Sequence, residues 1–404
     1  MRRSGALACV FAMVTAGCSQ SAVASRASAA EPNEVMVKPL GAPAAPSTSR
    51  DSLERIRMEM EARLRQTPHD ATAAVPLADA LLRLARVTNN AGLAVNAERA
   101  LTKVLAADPD RYDARRMLAT VLLSQHRFRD AIREADRCRQ MQPRDAFPLG
   151  VVGDAHLELG EYDQAFDAFQ RMVAMRPDAA SYARAAYARE LQGDLPDALR
   201  LMQMALGATS PNDPESLAWH HAQLGALHLA MGRPAEAERE YAHAEFVFPG
   251  HPMATEGLAR VADARGRPDQ ALARLQPLAA STPSPAMLAY MAELLKRSGR
   301  SLDALRYERL AEAAWRADVP EPAKLAVFLA NSGAPARVAE AVRIAEAEAA
   351  ARNDIFTNDA LAWAYFKAGR VSEAAEASAR ATRTGSRDRT IRDHWRQIAE
   401  AAAR

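Results

Sequence analysis

Apolar residues recur along this chain at spacings of three and four, in short runs punctuated by glycine and proline. The pattern is complete in residues 146–177. Leu149, Val152, Gly153, His156 and Leu157 share one helical face, and Ala165, Phe169 and Met172 share another. Gly160 and Glu161 mark a turn between the two. Pro177 stops the second run, because proline lacks the N–H and clashes with the preceding turn. The stretch predicts a helical hairpin.

The same hairpin recurs from about Ala71 onward. Turn residues stand at Gly92, His126, Gly160, Gly193, Gly232, Gly266, Gly299, Gly333 and Gly369, 33 to 39 residues apart. Glycine suits a helix end that turns left-handed, so His126 is expected to carry a cost. Seven residues before each turn stands Ala or Gly, from Ala85 to Ala362, as close helix crossing requires. Five residues after it stands alanine in every copy but one, where Val338 replaces it. Proline follows the second helix at Pro109, Pro143, Pro177, Pro249 and Pro283, and one position late at Pro211.

These residues, in this register, resemble the tetratricopeptide repeat over residues 71–387. The resemblance implies an all-α, right-handed superhelical solenoid of about nine helix hairpins with a concave groove, plus capping helices. Arg189, His156 and His228 stand where that family usually has tyrosine, and Glu308 where an aromatic or aliphatic residue is usual, so looser packing is expected there. The eighth copy, about 319–352, is the least typical, and its second helix is expected to run long. Residues 207–215 read as an extended loop that explains the 39-residue spacing. Residues 51–67 predict an N-terminal capping helix, with Asp51 and Glu54 as a capping box and Leu53, Ile56, Met60 and Leu64 as its apolar stripe. Residues 388–404 predict a closing helix built on Ile391, Trp395 and Ile398.

The N-terminal region differs in kind. In residues 1–18, Arg2 and Arg3 precede an uncharged apolar stretch too short to span a membrane, the pattern of a signal peptide. Thr15-Ala16-Gly17-Cys18 resembles the bacterial lipobox, which implies lipidation of Cys18. Ser19 then resembles the outer-membrane sorting pattern. The alternative is ordinary cleavage near residues 28–30, which leaves a soluble exported chain. Residues 19–50 are rich in Ala, Ser and Pro and hold too few apolar anchors to offset ordering entropy. They read as a flexible tether with a coil reach of roughly 30 Å.

Composition narrows the function classes. The chain is 49% hydrophobic but only 5% aromatic, which fits helices with an aliphatic core. Its net charge of +2 falls to near zero without Arg2 and Arg3, which argues against bulk attraction to nucleic acid. Cys9 and Cys18 lie in the leader, so the folded part holds no cysteine pair, and Cys138 reads as a buried structural thiol. No H-E-x-x-H, paired cysteine ligands or G-x-S-x-G occurs. His220, His221, His228 and His243 are the nearest approach to a cluster. With His228 on a core position, packed histidine is the reading, and no metal, cofactor or catalytic residue is expected.

The groove remains. By the family's geometry its candidate residues are Tyr187, Glu190, Trp219, Glu256, Arg260, Asp263, Glu293 and Lys296 in the middle of the array. Near the end they are Phe356, Asp359, Trp363 and Phe366. The structural alternatives are a solvated charged face and, for the aromatic set, packing under the closing helix around Trp395. As a groove, these residues would hold a protein or peptide. The expected function is a non-catalytic scaffold for partner proteins of a bacterial envelope assembly, anchored by lipid to the periplasmic side of the outer membrane. A soluble periplasmic peptide-binding chaperone is the alternative, and an enzyme with an unrecognised site a third.

Overall fold

A computed structural model describes residues 49–88, 90–317 and 321–404. The signal-peptide, Cys18 and tether readings fall on residues 1–48 and lie outside the described residues. Among the described residues there are twenty α-helices and no strand. A lone helix, α1 (Arg50–Gln66), leads into nine hairpins. These are α2 (Ala71–Thr88) with α3 (Gly92–Ala107), α4 (Tyr112–Ser124) with α5 (Phe128–Met141), and α6 (Phe147–Glu158) with α7 (Tyr162–Met175). Next come α8 (Ala179–Leu191) with α9 (Leu195–Gly207), α10 (Pro214–Ala230) with α11 (Pro234–Val247), and α12 (Pro252–Ala264) with α13 (Pro268–Ser281). The last three are α14 (Pro285–Arg297) with α15 (Ser301–Ala317), α16 (Pro322–Ala330) with α17 (Pro335–Ala351), and α18 (Ile355–Lys367) with α19 (Val371–Ala381). The closing helix α20 (Arg389–Ala402) packs on α18 and α19.

The periodic residues do what their spacing predicts. The alanines five residues after the turns, from Ala97 to Ala374, are fully buried, and Val338 replaces one of them at 6% exposure. Gly153 sits where α6 crosses α7, and a Cβ there would lie 2.4 Å from the Phe169 ring. Tyr241 fills the equivalent slot beside Gly225 and also packs against Gly257 of the next hairpin. The turn glycines from Gly160 onward have φ between 69° and 79°, and His126 adopts the same left-handed form at 59°, which costs a non-glycine residue about 1–2 kcal/mol. Three of the four polar departures are resolved by pairing. His156 meets Glu161 at 2.5 Å, Arg189 meets Asp197 at 3.1 Å, and Lys296 pairs with Glu308.

Three local expectations are corrected. Gly92 begins α3 instead of forming a left-handed turn. The α1 cap is Ser49, whose side chain accepts from the Ser52 N–H, while Glu54 pairs with Arg57. Residues 207–215 are only partly loop. α9 continues through Gly207 and α10 starts at Pro214, so that α10 has 17 residues against 13 in α8 and α12. The long second helix expected in the eighth copy is present, with α17 at 17 residues behind a nine-residue α16.

Each hairpin packs on the next, and first helices also touch successive first helices, as in α2 on α4, α4 on α6, α10 on α12 and α16 on α18. That places the first helices on the tighter, inner side of the curve. The winding then brings distant hairpins edge to edge. Arg83 on α2 reaches Asp213 at 3.0 Å and Glu215 at 3.4 Å, and Arg86 reaches Glu215 at 2.6 Å. The α6–α7 turn meets the α17–α18 loop. There Asn353 N–H donates to Leu159 O at 3.0 Å, Ile355 N–H donates to Tyr162 Oη at 2.8 Å, and Arg352 pairs with Glu158 at 2.8 Å. Gly160 faces the Asn353 backbone and Gly193 faces Gly385, with no room for a Cβ at either. Turns within the early hairpins thus lie against loops between the late ones.

Candidate partner-binding surface

The inner helices carry the twelve groove candidates, and the winding treats them in three ways. On α12 and α14, Glu256, Arg260 and Asp263 join Tyr290 and Arg297 in a polar chain. Arg260 donates to Glu256 at 2.7 Å and stacks its guanidinium 4.3 Å from the Tyr290 ring centre. Tyr290 donates to Asp263 at 3.1 Å, and Arg297 binds the other Asp263 oxygen at 2.6 Å. Glu256 and Asp263 are buried by this chain, Arg260 and Glu293 are half-buried, and Lys296 is exposed. Burial works against the Arg260 charge, and Glu256 more than offsets it, so the guanidinium titrates above its ordinary range.

On α18 the candidates are covered. Trp363 is 1% exposed, stacks on His394 of α20 with ring centres 3.8 Å apart, and donates Nε1–H to Asn331 at 2.8 Å. Asp359 lies 2.9 Å from His394 Nδ1. Phe366 packs against Trp363 and is half-buried. The expected cover over this aromatic set is therefore present, but through different residues. Ile391, His394 and Ile398 face inward, while Trp395 is 48% exposed. Trp219 is also buried, among α8, α9 and α10 side chains.

Tyr187 and Phe356 belong to one cluster with Tyr162, Phe169, Ile355 and Ile391, although sequence spacing puts them in different parts of the array. Glu190 lies at the same seam. Burial, then the Asp388 charge, raises its carboxyl to about 7, and Asp388 is itself raised to about 6, chiefly by burial. A carboxyl with a raised folded pKa holds its proton more tightly folded than unfolded. The seam's stability is therefore full at and below the ordinary carboxylate range and falls as pH rises through about 6 and 7. The melting temperature is expected to drop between pH of about 4 and about 7. Glu190→Gln should flatten that drop, and a profile unchanged by it would remove Glu190 from the account.

The histidine group is split by the structure. His220 is buried, bonded to Ser216 O at 2.7 Å and held neutral, with burial pushing its pKa down to about 4. His221 and His243 instead converge on Glu240. Cys138 is buried and its thiol is pushed up to about 12, mainly by burial, so it is not poised as a nucleophile. Sequence reasoning did not single out the outer helices, where Phe246 on α11 is 86% exposed and Leu302 on α15 is 85% exposed. Their signal was an apolar residue off the buried stripe. No helix among the described residues is long and apolar enough to cross a membrane.

Family profiles described as tetratricopeptide repeat match residues 91–148, 153–214 and 223–286. No curated protein sequence matches the chain. Among solved structures, the APC/C hetero-tetramer Cut9-Hcn1 is similar with a TM-score of 0.52 at 15% identity, covering 88% of this chain and 60% of that one. The human IFIT1 dimer with PPP-AAAA is similar at 0.52 and 14% identity, covering 83% of this chain and 78% of that one. At these identities the likeness is one of fold. The matched profiles identify tetratricopeptide repeats within residues 91–286, and the nine hairpins carry the same solenoid fold through the described residues.

Proposed function

We propose that the protein is a non-catalytic scaffold that holds partner proteins of a bacterial envelope assembly, such as a secretion, pilus or polysaccharide-export system. In this reading it is exported and tethered by a lipid on Cys18 to the periplasmic side of the outer membrane. The observation that carries the scaffold reading is the inner surface of α12 and α14. There the polar chain from Glu256 through Arg260, Tyr290 and Asp263 to Arg297 lies on the helices that also carry half-buried Glu293 and exposed Lys296, which pairs with Glu308, on a curved array. Such a surface suits a partner segment with its own charged side chains. The lipobox-like Thr15-Ala16-Gly17-Cys18 supports the anchor.

Cross-linking of the tagged full-length protein in intact cells, followed by mass spectrometry of the membrane fraction, tests both parts. One or two stoichiometric envelope partners, with cross-links at Lys296, are the expected result. A broad mixture of unrelated exported chains would overturn the dedicated scaffold in favour of a peptide-binding chaperone. Cys18→Ser is expected to move the protein from the membrane to the soluble fraction. Equal solubility of both forms would remove the anchor.

A further inference from the structure

We propose that His221, Glu240 and His243 bind a divalent transition-metal ion, and that Zn²⁺ is the ion this donor set suits best. His221 lies on α10, and Glu240 and His243 lie one turn apart on α11. Their ligand atoms, one from each residue, all lie within 4.8 Å of one another. Three such atoms share a point at most about 2.8 Å from each, so side-chain shifts of under about 1 Å reach the roughly 2.0–2.2 Å of zinc bonds to nitrogen and oxygen. His221 Nδ1 is already 2.7 Å from Glu240 Oε2. The His221 and His243 rings meet edge to face at 5.3 Å.

The chemistry of the donors selects the ion. Calcium and magnesium want six or more oxygen ligands, whereas two imidazoles and one carboxylate suit zinc, with water completing a tetrahedron. His243 is exposed and the other two are half-buried, so an ion and its water can enter from solvent. Other histidine–carboxylate contacts in the chain are simple pairs, as with His156 and Glu161 or His394 and Asp359. Only at His221 does a second imidazole, from the facing helix, join the pair among the described residues. A bound ion would staple α10 to α11 and so brace the helix that carries Glu215 against α2.

The untagged full chain, stripped with chelator and titrated with Zn²⁺ by calorimetry, should bind one ion and melt at a higher temperature. Co²⁺ at the same site should show the intense visible absorption of tetrahedral coordination. His243→Ala, at an exposed position, should weaken Zn²⁺ binding by more than about tenfold, a loss that even residues merely supporting a ligand produce. Glu240→Gln, which keeps the shape and removes the charge, should do the same, while His69→Ala leaves binding unchanged. Absence of saturable binding at one ion per chain overturns the proposal. So does wild-type affinity in both His243→Ala and Glu240→Gln.

Discussion

Arg83→Ala is expected to destabilise the array by roughly 3–5 kcal/mol, the range for removing one partner of a buried ion cluster. Arg83 is almost fully buried and grips three carboxylates, with Asp79 at 3.0 Å, Asp213 at 3.0 Å and Glu215 at 3.4 Å. Burial opposes its charge, but the three acids more than offset that and hold the guanidinium above its ordinary range. Truncation leaves Glu215 buried with Arg86 as its remaining ion-pair partner and takes the guanidinium away from Asp79 and Asp213. Arg83→Lys should recover little, because an ammonium cannot fork between carboxylates as the guanidinium does. Urea unfolding measures the cost, and limited proteolysis should show residues 50–107 opening before the rest. A loss below about 1 kcal/mol with unchanged proteolysis would mean that the seam adds nothing to nearest-neighbour stacking, the usual source of solenoid stability.

Trp363→Ala is expected to cost about 3–5 kcal/mol in the same measurement, as truncation of a buried tryptophan does. The side chain fills the space between α16, α18 and α20, and loses its stack on His394 and its hydrogen bond to Asn331. Lys367 over the ring at 4.6 Å adds a cation–π contact that also disappears. Trp363→Phe should cost less, since it keeps a ring against His394 and forfeits the indole N–H. The closing helix should become protease-sensitive in the alanine variant. A variant with wild-type stability and weakened partner binding would restore Trp363 as a groove anchor.

The hairpins were legible because every signal that builds them acts within one repeat. Apolar spacing sets each face, glycine with a left-handed turn ends the first helix, and alanine at the crossing lets the second approach. Gly153 against Phe169 shows how closely that local pattern specifies packing. The errors made at this level were shifts of a few residues, at Ser49, Gly92 and the start of α10, where caps and inserted turns compete on nearly equal terms.

What the chain's own order could not determine is which inner positions stay open. Tyr187 meets Phe356 and Arg83 meets Glu215 because many small rotations between hairpins add up to a winding that brings remote edges together. That sum depends on side-chain volumes at every interface, and no spacing within a repeat encodes it. The sequence alone determined the helices and their pairing, and the inner face was what the family resemblance implied. The tertiary structure alone decided that the α18 aromatics are core, that Lys296 remains at the surface and that His221 and His243 meet at Glu240. Local periodicity fixes a helix's orientation toward its neighbour, while contact between distant turns is a property of the whole curve.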